Sequence, residues 1–140
     1  GPNDNFHHLN SHVIPALISK FHFAGDGPVE CWGDGSPSRE FMYVDDLADA
    51  CLFSIINFQD AELVNIGSGE NIKIKDLAES ISKVTGYKGS IYWDKTKPNG
   101  TPNRPLDCSR ISSLGWRPKY TLQKGLEESY QWFKENYKHS

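Results

Sequence analysis

The chain has 140 residues, which is a usual size for a single domain. Hydrophobic residues make up 37% of it and charged residues 24%, and no apolar run approaches the ~18 residues of a membrane span, so the composition argues against a disordered chain and a transmembrane chain. A formal net charge of −3 provides no basic field for a phosphate backbone, and nucleic acid is not the expected partner.

The three cysteines indicate a reducing environment. Cys31, Cys51 and Cys108 are an odd number at wide spacings without a Cys-x-x-Cys pair, so neither a disulfide framework nor a zinc ribbon is predicted. We therefore expect a cytoplasmic protein. The chain opens abruptly at Gly1 without a methionine, and we expect it to be a piece of a longer polypeptide.

The first predicted elements are a helix and two short strands. Asn10 or Ser11 would cap an amphipathic helix whose apolar residues recur at i, i+3, i+4 and i+7. Residues 29–32 and 40–44 are typical of strands that flank the turn 33–37, as a hairpin or a broad loop. The apolar residues of the helix are Ile14, Leu17, Ile18 and Phe21.

A second helix is predicted to begin with acidic residues. Asp45, Asp46 and Asp49 suit the positive end of a helix dipole, so they need no catalytic role. We expect this helix to be well buried, because apolar residues continue through it. They are Leu47, Ala48, Cys51, Leu52, Ile55 and Ile56.

Further elements follow in the second half of the chain. A strand at 63–66, the turn 67–69, a helix that ends at Gly86 and a strand at 90–93 precede the loop 95–107. That loop is rich in Pro, Gly and Asn, and its length is typical of a functional loop. The apolar faces are Leu77, Ile81 and Val84 in the third helix, and Leu122, Leu126, Tyr130, Phe133 and Tyr137 in the last helix.

The order of these elements predicts the fold class. Helices and short strands alternate without the regular β-α-β spacing of a complete doubly wound sheet. The prediction is an α/β fold, a small mixed lobe of helices and short strands that forms one domain over residues 1–140.

Two patterns that resemble dehydrogenase motifs are weak. Gly67-Ser68-Gly69 follows a predicted strand, but the third glycine of a dinucleotide-binding turn would fall at Ile72, so an ordinary turn is favoured. Two Tyr-x-x-x-Lys pairs also occur, as chance predicts in a chain with six tyrosines. They are Tyr120 with Lys124 and Tyr130 with Lys134.

The histidines suggest proton transfer more than metal binding. His8 and His12 are four residues apart, but no third ligand stands at a suitable spacing, so no metal site is predicted. The imidazole of His12 suits acid–base chemistry near neutral pH. On residue type alone, a surface loop histidine is the simpler interpretation.

One stretch suits an anionic ligand. Trp32 to Arg39 places an aromatic ring, two glycines and a guanidinium within eight positions. Between Lys95 and Lys119, six Lys or Arg residues occur with one Asp, and this local excess of positive charge favours an anion. A solvated face with one buried Trp is an equal alternative.

Eight segments carry a resemblance to a known family. Val-Asp-Asp-Leu-Ala and Leu-Gly-Trp occur across the extended short-chain dehydrogenase/reductases, whereas the segments 4–15 and 97–102 point to one group within them. The chain resembles the GDP-L-fucose synthase family along nearly its whole length. The matching segments are residues 1–6, 10–16, 32–41, 44–48, 65–69, 74–78, 97–102 and 114–116.

The resemblance implies an NADP-dependent enzyme. Its substrate would be the GDP-sugar GDP-4-keto-6-deoxy-D-mannose, epimerised at C3 and C5 and reduced at C4 to GDP-L-fucose. His12 takes the position of the active-site histidine of the family. The resemblance therefore implies that His12 is the catalytic acid or base and that it also contacts the cofactor.

The resemblance also implies a set of substrate contacts. They correspond to Lys20, Trp32, Arg39 and Asn99, and Arg104 is expected as a further phosphate partner. Lys20 stands where arginine is common, which keeps the charge but loses bidentate geometry. Asn99 stands where aspartate is common, so a role that requires a carboxylate is not expected of it.

The N-terminal Rossmann domain of the family would precede Gly1 and would carry most of the NADP site. We therefore expect no hydride transfer from the 140 residues alone. The complete protein is expected to be a homodimer and this lobe a monomer. Two alternatives remain open, which are a lobe of another nucleotide-sugar epimerase or dehydratase, and a stand-alone binding module without catalysis.

Overall fold

Helices and short strands alternate in the three ranges that the computed structural model describes, residues 1–7, 10–58 and 63–137. The predicted small α/β lobe is confirmed. In chain order the elements are α1 (Val13–Phe23), β1 (Val29–Trp32), β2 (Ser38–Glu40), α2 (Val44–Asn57), β3 (Asn71–Lys73), α3 (Ile74–Thr85), β4 (Ile91–Asp94), α4 (Ser109–Ser113) and α5 (Leu122–Asn136).

The strands form two small sheets rather than the expected hairpin. β1 pairs in parallel with β4, so that Trp32 lies opposite Asp94, and β2 pairs antiparallel with β3. Residues 33–37 form a broad loop between the two sheets, which was the other prediction for this segment. The hairpin was wrong because β1 finds its partner more than fifty residues further along the chain.

The main core is formed by α1, α3 and α5. The helical periodicity is confirmed in all three, and α3 ends as predicted at Gly86, whose φ of 73° is readily adopted by glycine. Each buried aliphatic or aromatic side chain contributes about 1.5–3 kcal/mol to the stability of the fold. The buried residues of these helices include Leu17, Ile18, Phe21, Leu77, Ile81, Leu126 and Phe133.

The prediction of a well-buried second helix is wrong. Of the apolar residues in α2, Ala50 is fully buried, but Leu52, Ile55 and Ile56 are 59%, 79% and 68% exposed. One side of α2 packs against a small cluster that includes Ile111 and Trp116. Its other side is an exposed apolar surface, which we call the α2 face and define by Leu47, Leu52, Ile55 and Ile56.

Three local expectations also differ from the structure. His12 is the N-cap residue of α1, in place of Asn10 or Ser11. The strand predicted at 40–44 ends at residue 40, because the chain already turns into α2 at Val44. Residues 63–66 are not a strand, and Leu63 is 96% exposed.

Within the described ranges, none of the helices has the length and apolar character that crossing a bilayer requires.

Candidate functional site

An exposed aromatic ring stands where β1 ends. The Trp32 side chain is 60% exposed, and the next residue, Gly33, donates its N–H to the carbonyl oxygen of Asp94 at 2.9 Å. The ammonium of Lys97 lies 5.7 Å from the centroid of the Trp32 ring, which is the geometry of a cation–π contact. An aromatic face is thus presented to solvent beside a positive charge, an arrangement that suits a planar anionic ligand.

Asn99 joins the loop 95–107 to the turn 33–37. Its Oδ1 accepts the backbone N–H of Asp34 at 2.7 Å. Hydrogen bonds from Ser36 and Asn99 lower the pKa of the Asp34 carboxyl, so this group carries its charge well into the acidic range. Gly33 has a φ of 77°, and a Cβ at this residue would collide with the Asn99 amide. The turn therefore requires glycine here for two independent reasons.

Arg39 lies on β2 beneath the same loop. Its side chain is half-buried, and Nη1 donates to the carbonyl oxygen of Ser38 at 2.7 Å. The N–H of Ser38 donates to the carbonyl oxygen of Pro102 at 2.8 Å, and a Cβ on Gly100 would lie 3.4 Å from Arg39 Nη2. The loop therefore gathers Arg39, Asn99 and Lys97 around the turn. We call Trp32, Asp34, Arg39, Lys97 and Asn99 the Trp32 surface.

Lys20 and Arg104 lie at the margins of this surface. Lys20 Nζ donates to the carbonyl oxygen of Glu30 at 3.1 Å, which places its charge along β1 two residues before Trp32. Arg104 is exposed and donates to Thr101 Oγ1 at 3.4 Å within the loop. In the part of the chain that the structure describes, no hydrogen bond links Lys20 or Arg104 to Arg39 or Trp32.

His12 belongs to a different part of the molecule. It lines a cavity of about 580 Å³ that also contacts Phe41, Tyr43, Asn71 and Tyr120. The backbone carbonyl of His12 accepts the first hydrogen bond of α1, and its side chain makes no capping hydrogen bond, so the exposed ring is not used by the helix. Because eight residues of helix rise by about 12 Å, His12 and Lys20 stand at opposite ends of α1.

The cavity and the Trp32 surface do not share predicted site residues. Lys20, Trp32, Arg39, Asn99 and Arg104 are all absent from the cavity lining. The structure thus brings Trp32, Arg39 and Asn99 together and places His12 apart from them.

The two Tyr-x-x-x-Lys pairs have structural roles. In both pairs the lysine ammonium lies 5.0 Å from the tyrosine ring centroid, one helical turn away. The Tyr130 hydroxyl is hydrogen-bonded with His22 Nδ1 at 3.0 Å, and burial raises the pKa of Tyr130. A tyrosyl acid assisted by lysine needs the opposite shift. These contacts agree with the interpretation that the pairs arise by chance.

The Gly67-Ser68-Gly69 segment is an ordinary turn. Gly69 donates its N–H to Glu40 Oε1 at 2.6 Å, and the strand β3 follows it where a dinucleotide-binding unit would have a helix. His8, half of the histidine pair, lies outside the described residues. Among the residues that are described, no group of three metal-ligating side chains occurs.

Lys97 and Asp34 were not predicted as site residues from the sequence. They lie in the basic loop region and in the Trp-Gly-Asp-Gly segment, both of which were predicted to suit an anionic ligand. The local excess of basic residues was the signal for Lys97. No short-range signal marks Asp34, because its partner Asn99 is 65 residues away.

Comparison with known proteins supports one family. The model of the "NAD dependent epimerase/dehydratase family" matches residues 1–67. GDP-L-fucose synthase 1 of Arabidopsis thaliana is 52% identical over 97% of this chain and 43% of its own length. GDP-L-fucose synthase of Escherichia coli K12 is 45% identical over 97% of this chain and 46% of its own length. The chain spans less than half the length of these curated relatives.

A solved structure agrees with these relatives. The GDP-L-fucose synthetase from Naegleria fowleri bound to NADP superimposes with a TM-score of 0.91 and 28% sequence identity. The match covers 97% of this chain and 44% of that one. The arrangement of α1 to α5 is therefore found within a longer enzyme chain.

Proposed function

We propose that the chain is a member of the NAD-dependent epimerase/dehydratase family and that it forms the GDP-sugar-binding part of a GDP-L-fucose synthase. The observation that carries this proposal is the Trp32 surface. It combines an exposed ring for stacking, a guanidinium for phosphate and a further ammonium, all gathered by one loop.

The Trp32 surface matches the two chemical features of a nucleoside diphosphate. The Trp32 face would stack on the guanine base, a contact worth roughly 1–3 kcal/mol for bases on aromatic side chains. Arg39 would pair with the diphosphate through its planar fork of donors. Lys20 and Arg104 would add contacts at the edges of the ligand, as the resemblance implies.

His12 would act at the sugar ring. A ketone at C4 of the sugar acidifies the C–H bonds at C3 and C5, so a histidine placed beside them can move a proton at either carbon. The His12 ring is exposed at a cavity and is not engaged in capping α1. This freedom supports the proposed role of His12 as the catalytic acid or base.

The cofactor would be held largely outside these 140 residues. The Gly67-Ser68-Gly69 turn is tied to Glu40 and leads into a strand, which does not fit a dinucleotide-binding turn. His12 is the residue of this chain that we propose contacts NADP. When bound, NADPH would supply the hydride for the reduction at C4.

The α2 face is where we propose that the NADP-binding part of the polypeptide packs. Large exposed apolar patches are uncommon on monomeric proteins and mark interaction surfaces. The relatives of this chain are more than twice as long, so a segment of suitable size exists in them.

The free thiols of Cys31, Cys51 and Cys108 support the proposal of a reducing, cytoplasmic setting.

A competition titration tests the proposed function. GDP, UDP and dTDP are titrated separately into the 140-residue chain, and the heat of binding is measured. We expect GDP to bind at least about tenfold more tightly than the other two, which corresponds to about 1.4 kcal/mol. Equal affinity for the three nucleotides would favour a related nucleotide-sugar enzyme, and binding of none would contradict the proposal.

A further inference from the structure

The loop 95–107 contains neither helix nor strand, so its position depends on a few attachments. At its start, Lys97 donates its N–H to the carbonyl oxygen of Asp94 at 3.1 Å. Further along, the carbonyl oxygen of Pro102 accepts the N–H of Ser38. Between these two points, the side chain of Asn99 supplies the hydrogen bond to the turn 33–37.

The amide of Asn99 is chemically matched to Asp34. Its Oδ1 accepts the Asp34 N–H at 2.7 Å, and hydrogen bonding by the Asn99 side chain is one cause of the lowered pKa of the Asp34 carboxyl. An amide can do both because it carries an acceptor and donors on one group. A carboxylate at residue 99 would accept the N–H but would set a second negative charge against Asp34.

This pairing acts on the groups proposed to bind nucleotide. Gly100, the next residue, lies beside the Arg39 guanidinium, since a Cβ on it would lie 3.4 Å from Arg39 Nη2, and Lys97, two residues before, lies over the Trp32 ring. Moving Asn99 away from Asp34 would displace both neighbours. Among the attachments of the loop, the contact of Asn99 with Asp34 is the central one, and it lies between Lys97 at Trp32 and Gly100 at Arg39.

We propose that Asn99 is a positioning residue, which pairs with Asp34 to hold the loop 95–107 over Arg39 and Trp32 in the geometry that binds GDP. The inference rests on the proposed function and deepens it. It differs from the expectation of the resemblance, in which residue 99 contacts the substrate itself.

A reciprocal exchange tests the proposal in the 140-residue chain. Asn99→Asp, Asp34→Asn and the double variant are compared for GDP affinity by calorimetric titration at about pH 7. We expect Asn99→Asp to weaken GDP binding about tenfold, because two carboxylates then face each other. The double variant restores one amide and one carboxylate, and its affinity should return to within about threefold of the parent chain.

Two further measurements separate a positioning role of Asn99 from a direct contact of Asn99 with GDP. Asn103→Asp adds the same charge to an exposed residue of the same loop and should change GDP affinity less than about twofold. Hydrogen exchange should show faster exchange of the segments 33–39 and 97–102 in Asn99→Asp, and recovery in the double variant, with no nucleotide present.

The outcomes distinguish this inference from the proposed function. If the double variant binds GDP as weakly as Asn99→Asp, or if hydrogen exchange does not change, Asn99 acts by direct contact with GDP. The inference is then overturned, while the proposed function is unaffected. If the exchange pattern responds as expected but the parent chain does not bind GDP, the proposed function fails and the inference fails with it.

Discussion

The buried carboxylate of Asp46 accepts the backbone N–H of Lys119 at 2.9 Å, which joins two segments that are 73 residues apart. The same carboxylate accepts the N–H of Tyr120 at 2.9 Å. The first turn of α2 is thereby fixed to the segment that lines the cavity beside His12. The sequence predicted Asp46 at a helix N-terminus, and the structure confirms that position. It also shows that the Asp46 carboxylate joins α2 to the segment 119–120.

Replacing Asp46 is expected to destabilise the fold. Asp46→Ala leaves two N–H groups without their acceptor in a region where Asp46 is 2% exposed, and the cost should be roughly 3 kcal/mol. Urea unfolding at about pH 7 measures it. Asp45→Ala, at the neighbouring exposed residue, should cost less than about 1 kcal/mol through the helix dipole. Equal losses for the two variants would contradict a clamping role for Asp46.

Two glycines test the geometry of the turn. Gly33 and Gly69 have φ values of 77° and 78°, so alanine at either residue should cost about 1 kcal/mol in backbone strain. A Cβ at Gly33 would in addition collide with Asn99, whereas a Cβ at Gly69 has no neighbour within 4 Å. Gly33→Ala should therefore destabilise the chain more than Gly69→Ala in urea unfolding, and it should also weaken GDP binding. Matching effects of the two variants on both readouts would show that the turn is not held by Asn99.

The contact of Asp49 with Lys119 predicts a pH dependence of stability. Hydrogen bonds from Lys119 and from the Trp116 indole lower the pKa of the Asp49 carboxyl in the folded state. Its contribution is therefore complete above the unfolded-state pKa of about 3.9 and is lost as the pH falls through the lower folded-state pKa. Asp49→Asn should lower the unfolding midpoint at about pH 7 and reduce the loss of stability in acid.

Urea unfolding at a series of pH values checks this expectation. Lys119→Met removes the largest cause of the shift and should flatten the acid limb in the same direction as Asp49→Asn. If the parent chain and both variants lose stability in parallel below about pH 4, the Asp49 contact does not contribute.

The helices of the main core could be predicted from sequence, whereas strand pairing and the burial of α2 could not. The apolar residues of α1, α3 and α5 recur at helical spacing, and a local pattern suffices to locate a helix. The pairing of Val29 with Ile91 joins strands that are distant in sequence, and no local pattern specifies it. The sequence predicted the helix α2 correctly but not its burial, because periodicity does not identify what covers each side of a helix.

The site was predictable to a similar extent. Residue types and the family resemblance marked Trp32, Arg39 and Asn99, which the structure brings together at the loop 95–107. The same reasoning assigned Asn99 to the ligand, and it did not predict the contact within the chain that Asn99 makes with Asp34. Such a pairing depends on the path of the loop, which has no periodic signal.

The α2 face predicts a difference between the short chain and the complete polypeptide. In the 140 residues alone, changing Ile55 and Ile56 together to serine should alter the unfolding free energy by less than about 1 kcal/mol, since both are exposed. In the complete polypeptide the same change should cost roughly 2 kcal/mol, because the face would be covered. Tyr92→Ser, at an exposed residue of β4, should have a small effect in both chains. A small effect of the α2 variant in both would contradict the proposed packing.

The most direct test of the account is the affinity of the complete polypeptide for GDP when the Trp32 surface is altered. Trp32→Ala should weaken GDP binding about 10- to 100-fold through loss of stacking, and Arg39→Lys should weaken it about tenfold because the bidentate contact is lost. Arg117 is exposed and donates a hydrogen bond to the backbone carbonyl oxygen of Ser112. Arg117→Lys is therefore the matched control and should leave the GDP affinity unchanged. Unchanged GDP affinity in both Trp32→Ala and Arg39→Lys would contradict the claim that this surface binds the nucleotide.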